Sequence, residues 1–92
     1  TQFDVSYNYP NPFNPSTKFR YALPEGRDVK IIIYDINGSK VTELVNNYQS
    51  AGTYEITWNG KNDLGQQVAS GTYIYNVKAG NFVQTKKMVL LK

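Results

Sequence analysis

The sequence predicts an all-β chain folded as two antiparallel sheets packed face to face, and three observations carry that expectation. Apolar and polar residues alternate with period two in several short runs. Gly, Pro and Asn turns separate those runs at roughly even spacing. No stretch has the periodicity of an amphipathic helix. The pattern is plainest in Gly52 to Ala79, where two strand patterns beginning Gly-Thr-Tyr enclose the polar loop Asn59 to Ser70. Tyr54, Ile56 and Trp58 alternate with Glu55 and Thr57, and Tyr73, Tyr75 and Val77 alternate with Ile74, Asn76 and Lys78. The first of these strands has a clean polar face, which is the habit of antiparallel sheets with one side on a core and the other in water.

Taken in order, Phe3 to Tyr7 reads as a short opening strand at a sheet edge, with Phe3, Val5 and Tyr7 opposed to Asp4 and Ser6. Asn8 to Thr17 contains three prolines, which fix φ, remove amide donors and push each preceding residue toward extended conformations. An ordered, extended loop follows, pinned to the sandwich by Tyr9 and Phe13. Lys18 to Leu23 places Phe19, Tyr21 and Leu23 on one face, before Pro24-Glu25-Gly26 turns the chain. Asp28 to Ile36 is apolar on both faces and reads as a central strand. Asn37-Gly38 is the strongest hairpin signal, expected as a type I′ turn with positive φ at both residues. Val41 to Val45 returns as its partner, and Asn46 to Ala51 reads as a polar connection into the Gly52 strand. After Val77, Ala79-Gly80-Asn81 turns into a long closing strand from Phe82 to Leu91.

Seven strand signals with Gly and Pro turns point to an immunoglobulin-like antiparallel β-sandwich. Its 92 residues suit a single domain, 1–92, since domains commonly run about 50 to 200 residues. Eight tyrosines, four phenylalanines and one tryptophan supply the apolar area that so short a chain needs. Trp58 is expected to be buried between the sheets with its indole N–H bonded, because an unpaired buried donor costs about 1 to 3 kcal/mol.

Composition bounds the function. Cysteine is absent, so no disulfide framework exists. With no His and no Cys, the commonest general base, the thiol nucleophile and the usual transition-metal ligands are missing. The acidic residues are scattered over different strands and turns rather than paired for acid–base work. The chain is therefore not expected to be an enzyme. The net charge of +3 is small and spread out, with only Lys86-Lys87 adjacent, so nucleic-acid binding is not expected. No apolar run approaches the roughly 20 residues of a membrane helix, so no insertion is expected. The N-terminus lacks the pattern of a signal peptide and begins inside a strand pattern, as in a module cut from a longer chain. Asn59, Asn62, Asp63 and Gln66 form an oxygen-rich loop, but calcium wants six to eight oxygen ligands and only Asp63 is charged. A self-bonded turn explains the loop better, and no cofactor or metal is expected.

Several segments carry a resemblance to a known family: Asn-Tyr-Pro-Asn-Pro-Phe-Asn-Pro-Ser-Thr (8–17), Ile-Tyr-Asp-Ile-Asn-Gly (33–38), Trp-Asn-Gly-Lys-Asn-Asp-Leu-Gly (58–65), Val-Ala-Ser-Gly-Thr-Tyr (68–73) and Lys-Met-Val-Leu-Leu-Lys (87–92). Together they resemble the C-terminal type A sorting domain of the type IX secretion system. The last four also resemble the immunoglobulin-like domain of the flagellar hook-capping protein family. The resemblance covers almost the whole chain in order. It implies an address and attachment module on a secreted bacterial protein, read by an outer-membrane translocon, with any enzyme activity lying upstream.

The expected function is a non-catalytic sorting, cell-surface anchoring or interaction module, secreted to the cell surface or beyond. Its partner would be protein, either outer-membrane secretion machinery or neighbouring subunits. The surfaces expected to be read are the Pro-rich loop, through Tyr9 and Phe13, and the closing strand, through Lys86, Lys87, Met88, Val89, Leu90, Leu91 and Lys92. Apolar side chains on both faces of that strand imply an outer partner, and parity pairs Met88 with Leu90 and Val89 with Leu91 without saying which pair faces in. Two other readings stand beside this one: a fibre subunit that self-associates by strand addition, and a carbohydrate-binding module using the surface rings Tyr7, Tyr9, Tyr34 and Tyr48.

Overall fold

The structure, a computed structural model, describes residues 2–91. Alternation sorts its side chains into inside and outside, and seven strands result: β1 (Asp4–Val5), β2 (Thr17–Leu23), β3 (Arg27–Asp35), β4 (Lys40–Gln49), β5 (Gly52–Trp58), β6 (Gly71–Ala79) and β7 (Phe82–Leu90). They form two sheets, β1-β2-β5 and β4-β3-β6-β7, with every strand pair antiparallel. The fold is an all-β, immunoglobulin-like sandwich.

The inward rows meet between the sheets. Phe19 and Tyr21 of β2 face Val29, Ile31 and Ile33 of β3 and Tyr75 and Val77 of β6, all buried. The Phe19 and Tyr75 rings stack across the gap with centroids 4.2 Å apart. Trp58 is 1% exposed, meets Phe13 and Tyr73 edge-on, and donates its indole N–H to the Lys61 carbonyl at 2.9 Å. The expected burial and bonding of Trp58 are both present.

Four local expectations change. The opening strand is only Asp4–Val5, although Ser6 still donates its amide to the Arg20 carbonyl at 2.8 Å; Tyr7 points to solvent. The Asn37-Gly38 hairpin is not type I′. Gly38 has φ +85, but no described non-glycine residue has positive φ, so Asn37 stays in the ordinary region. Asp35 explains the choice, because its Oδ1 accepts the amides of Asn37 at 2.9 Å and Ser39 at 3.0 Å and holds a three-residue loop with a left-handed glycine.

Residues 46–49 are not a connection but continue β4, pairing with Lys30 back to Arg27. Ladder hydrogen bonds need no apolar side chains, and Asn46, Asn47 and Tyr48 are exposed at the sheet margin. The register with β3 also slips twice, leaving Leu44 and Val41 as extra residues on β4. Both pack against the core, so bulges replace strict alternation and blunt this edge. Finally, Tyr9 does not pin the loop with its ring, which is 76% exposed; its backbone does so, by exchanging hydrogen bonds with Lys18.

β6 and β7 are joined by a two-residue turn. Gly80, at φ +58 in its first central position, gives the type II′ form suited to the twist of a hairpin.

Candidate functional site

The Pro-rich loop and the far end of β7 converge on one spot. Within the loop, the buried Asn8 donates from Nδ2 to Thr17 Oγ1 at 3.1 Å, and Thr17 donates in turn to the Pro10 carbonyl at 2.8 Å. The loop is ordered but not extended as expected: these bonds close it on itself, with bends at residues 10–12 and 14–15 and cis bonds before Pro10, Pro12 and Pro15, and between the bends Phe13 reaches into the core, where it is 2% exposed. The backbone of Phe13 then lies alongside Leu90 as a parallel bridge. Its amide donates to the Val89 carbonyl and its carbonyl accepts from Leu91, both at 2.9 Å, while Asn11 Oδ1 accepts the Val89 amide at 3.0 Å. The loop is thus a clasp over the outer edge of β7 at residues 89–91.

The residues singled out for recognition divide into two groups. Phe13, Met88 and Leu90 are buried, so parity is decided: Met88 and Leu90 face in and shape the strand rather than meet a partner. Val89 is half-buried and Leu91 is 52% exposed on the opposite side. Lys87 is exposed, and Lys86 places Nζ 4.1 Å from the centroid of the exposed Tyr7 ring, a cation–π contact. Tyr9 is exposed, and Lys92 lies outside the described residues. Asn8, Asn11 and Thr17, which make the clasp, are not evident from the sequence, because their partners lie up to 78 positions away. An Asn between prolines was the one available signal.

The polar loop after β5 closes on itself. Asn62 Oδ1 accepts the amides of Leu64 and Gln66, and Asn59 Oδ1 that of Lys61. Asp63 Oδ1 accepts from the Thr42 hydroxyl at 2.7 Å and the Glu43 amide at 3.3 Å. The Thr42 bond, aided by that amide and by Lys40, holds the Asp63 carboxyl below the usual range against a smaller opposing effect of desolvation. The Asn59 and Asn62 oxygens are turned to the loop's own backbone and Asp63 to β4, and no acidic cluster of metal-binding size occurs among the described residues.

Comparison with known proteins adds a family. The sequence profile of the FlgD Ig-like domain matches residues 13–85, most of the chain. The chain belongs to the FlgD Ig-like domain family. Among solved structures, dimeric latent PorU from Porphyromonas gingivalis is similar at 22% identity and a TM-score of 0.75, over 99% of this chain and 10% of PorU. PorZ, a bacterial surface component of the type IX secretion system of the same organism, is similar at 24% identity and a TM-score of 0.65, over 94% of this chain and 11% of PorZ. FlgD from Xanthomonas campestris, a flagellar hook-capping protein, is similar at 23% identity and a TM-score of 0.66, over 95% of this chain and 64% of FlgD. At these identities the likeness is one of fold. The chain spans about a tenth of PorU and PorZ and under two thirds of that FlgD. No curated protein matches the chain in sequence.

Proposed function

We propose that this domain is a non-catalytic sorting and anchoring module of a secreted bacterial protein, recognised in its folded form by outer-membrane secretion machinery at the cell surface. The clasp is the observation that carries the reading. It joins two of the five segments that carry the resemblance to type IX sorting domains, the Pro-rich loop and the closing strand, into one surface feature. That feature holds Val89 and Leu91 outward while Met88 and Leu90 anchor it to the core. The similarity of fold to PorZ, a type IX surface component, supports the same direction.

The test is to fuse the domain to a reporter in a type IX-competent host. Changing Val89 and Leu91 together to Thr is expected to lower the melting temperature by only a few degrees while abolishing surface display. Normal display of the double variant would overturn the reading.

A carbohydrate-binding role is the second reading, favoured by one observation. Tyr7 and Tyr9 are both about three-quarters exposed beside Lys18, Arg20 and Glu55 in a shallow depression of 250 Å³. Retention on insoluble polysaccharide that vanishes in the Tyr7→Ala/Tyr9→Ala variant is its expected signature.

A further inference from the structure

We infer that the open stretch of the β7 edge, Val83 to Lys87, accepts an additional strand from an acidic, extended segment of a partner protein. The inference rests on the reading of the domain as a protein-interaction module and names the chemistry of one partner.

In an antiparallel ladder the N–H and C=O of a residue point to the same side, and successive residues alternate. The clasp shows which residues of β7 face away from β6, because both groups of Val89 are bonded to the loop. The ladder runs without a register shift from Ala79–Phe82 to Gly71–Leu90. The outward residues are therefore Val83, Thr85 and Lys87, and among the described residues no backbone partner meets them. Val83 is 50% exposed, and Thr85 and Lys87 are exposed. Farther along the same edge, Phe13 already makes the bond pair that an added strand makes. The opposite edge of this sheet is blunted by the two bulges of β4. The Val83–Lys87 edge has no such guard except its lysines.

Charge selects the occupant. From Leu64 to Lys92 the sequence contains Lys78, Lys86, Lys87 and Lys92 and no Asp or Glu. Lys78 stands opposite Val83, on the face shared by the Thr85 and Lys87 side chains. Pairing this edge with a second copy would bring together two lysine-bearing hairpins with no acid on either, which disfavours self-addition. Beside the edge, Phe82, Gln84, Phe3 and Pro24 line a depression of about 450 Å³, with the Phe3 and Phe82 rings stacked at 5.3 Å. A strand that alternates apolar with acidic residues fits both features. Its apolar side chains enter the depression while its carboxylates meet Lys78 and Lys87.

The test uses the intact domain and a short capped peptide alternating valine with aspartate. On binding, the amides of Val83, Thr85 and Lys87 are expected to become protected from hydrogen exchange, while those facing β6 keep their rates. Thr85→Pro removes one outward donor at an edge position where proline is tolerated, and is expected to weaken binding about tenfold. Thr85→Val keeps that donor and should bind like the parent. Lys87→Glu, which leaves the ladder untouched, should weaken binding by a similar factor. Unchanged protection at the three amides overturns the inference. So does equal binding of a valine–lysine peptide, or concentration-dependent dimerisation of the domain through this edge. Peptide binding that fails while surface display is intact sinks this inference alone, whereas display that survives the Val89/Leu91 change sinks the sorting reading alone.

Discussion

Trp58 meets rings from two directions, Phe13 of the clasp and Tyr73 of β6, and its N–H has a partner three residues away. Trp58→Ala is therefore expected to cost about 3 to 5 kcal/mol, enough to unfold a small domain of ordinary stability. A melting temperature within a few degrees of the parent would show that the ring is dispensable. Tyr75 makes a different kind of contribution. Burial pushes its hydroxyl up to about 12 from an ordinary value of 10.0, partly offset by a hydrogen bond with the Asn8 backbone. The folded state thus holds this proton more tightly than the unfolded chain. The associated stability is complete below pH 10 and is lost as pH rises toward about 12. Denaturant midpoints should fall across that window, and Tyr75→Phe should flatten part of the fall. The remainder belongs to Tyr21 and Tyr73, whose hydroxyls burial raises as well. Tyr75→Phe also removes the bond to the Ser6 carbonyl, 2.8 Å long, at a cost of about 1 kcal/mol at neutral pH.

At the scale of the element, β7 separates buried from outward-facing side chains within four consecutive residues, Met88 and Leu90 against Val89 and Leu91. Changing Met88 and Leu90 to Thr places two hydroxyls in the core and should unfold the domain, whereas the same change at Val89 and Leu91 should not. Circular dichroism melts of the two double variants check this, and equal losses would contradict the inward–outward assignment. The clasp gives a milder expectation: Asn11→Ala removes one bond to the Val89 amide and should lower stability by about 1 kcal/mol. Most strands were legible because alternation is a local property, and β2, β3, β5 and β6 keep it. β4 was legible only in part. Its bulges at Leu44 and Val41 turn successive residues inward, and its last residues are polar because one edge of the strand is wet. The hairpin was placed correctly but mistyped, since the Asp35 side chain, not the Asn-Gly dipeptide alone, decides the turn. Parity in β7 yielded two pairs, and only the packing of Met88 beside Tyr73 chose between them. The clasp was out of reach, because a bond between positions 11 and 89 leaves no periodic trace.

Across the whole molecule, neighbours in space come from all parts of the chain. β2 pairs with β5, β3 with β6, and the N-terminal loop with β7. Among the described residues no contiguous run of strands pairs only within itself, so unfolding followed by Trp58 fluorescence and by backbone circular dichroism is expected to give coincident transitions. Separate midpoints would mean that one sheet outlives the other. The charge distribution adds a consequence for encounters: three lysines and no acids in the β6–β7 hairpin, 71–90, give it a field that steers acidic surfaces toward it, and salt should slow such association.

The bond between the loop and the closing strand also imposes an order in time. A ribosome adding about 5 to 20 residues per second delivers Phe13 roughly 4 to 15 seconds before Leu90. Until then Phe13 has no strand to lie beside, and the core lacks Met88 and Leu90. A copy whose translation stops short of Val89 lacks the bonds that hold Phe13 and the buried Leu90, and is expected to be cut by proteases faster than the full domain. The clasp therefore cannot close before the closing strand has been synthesised through Leu91.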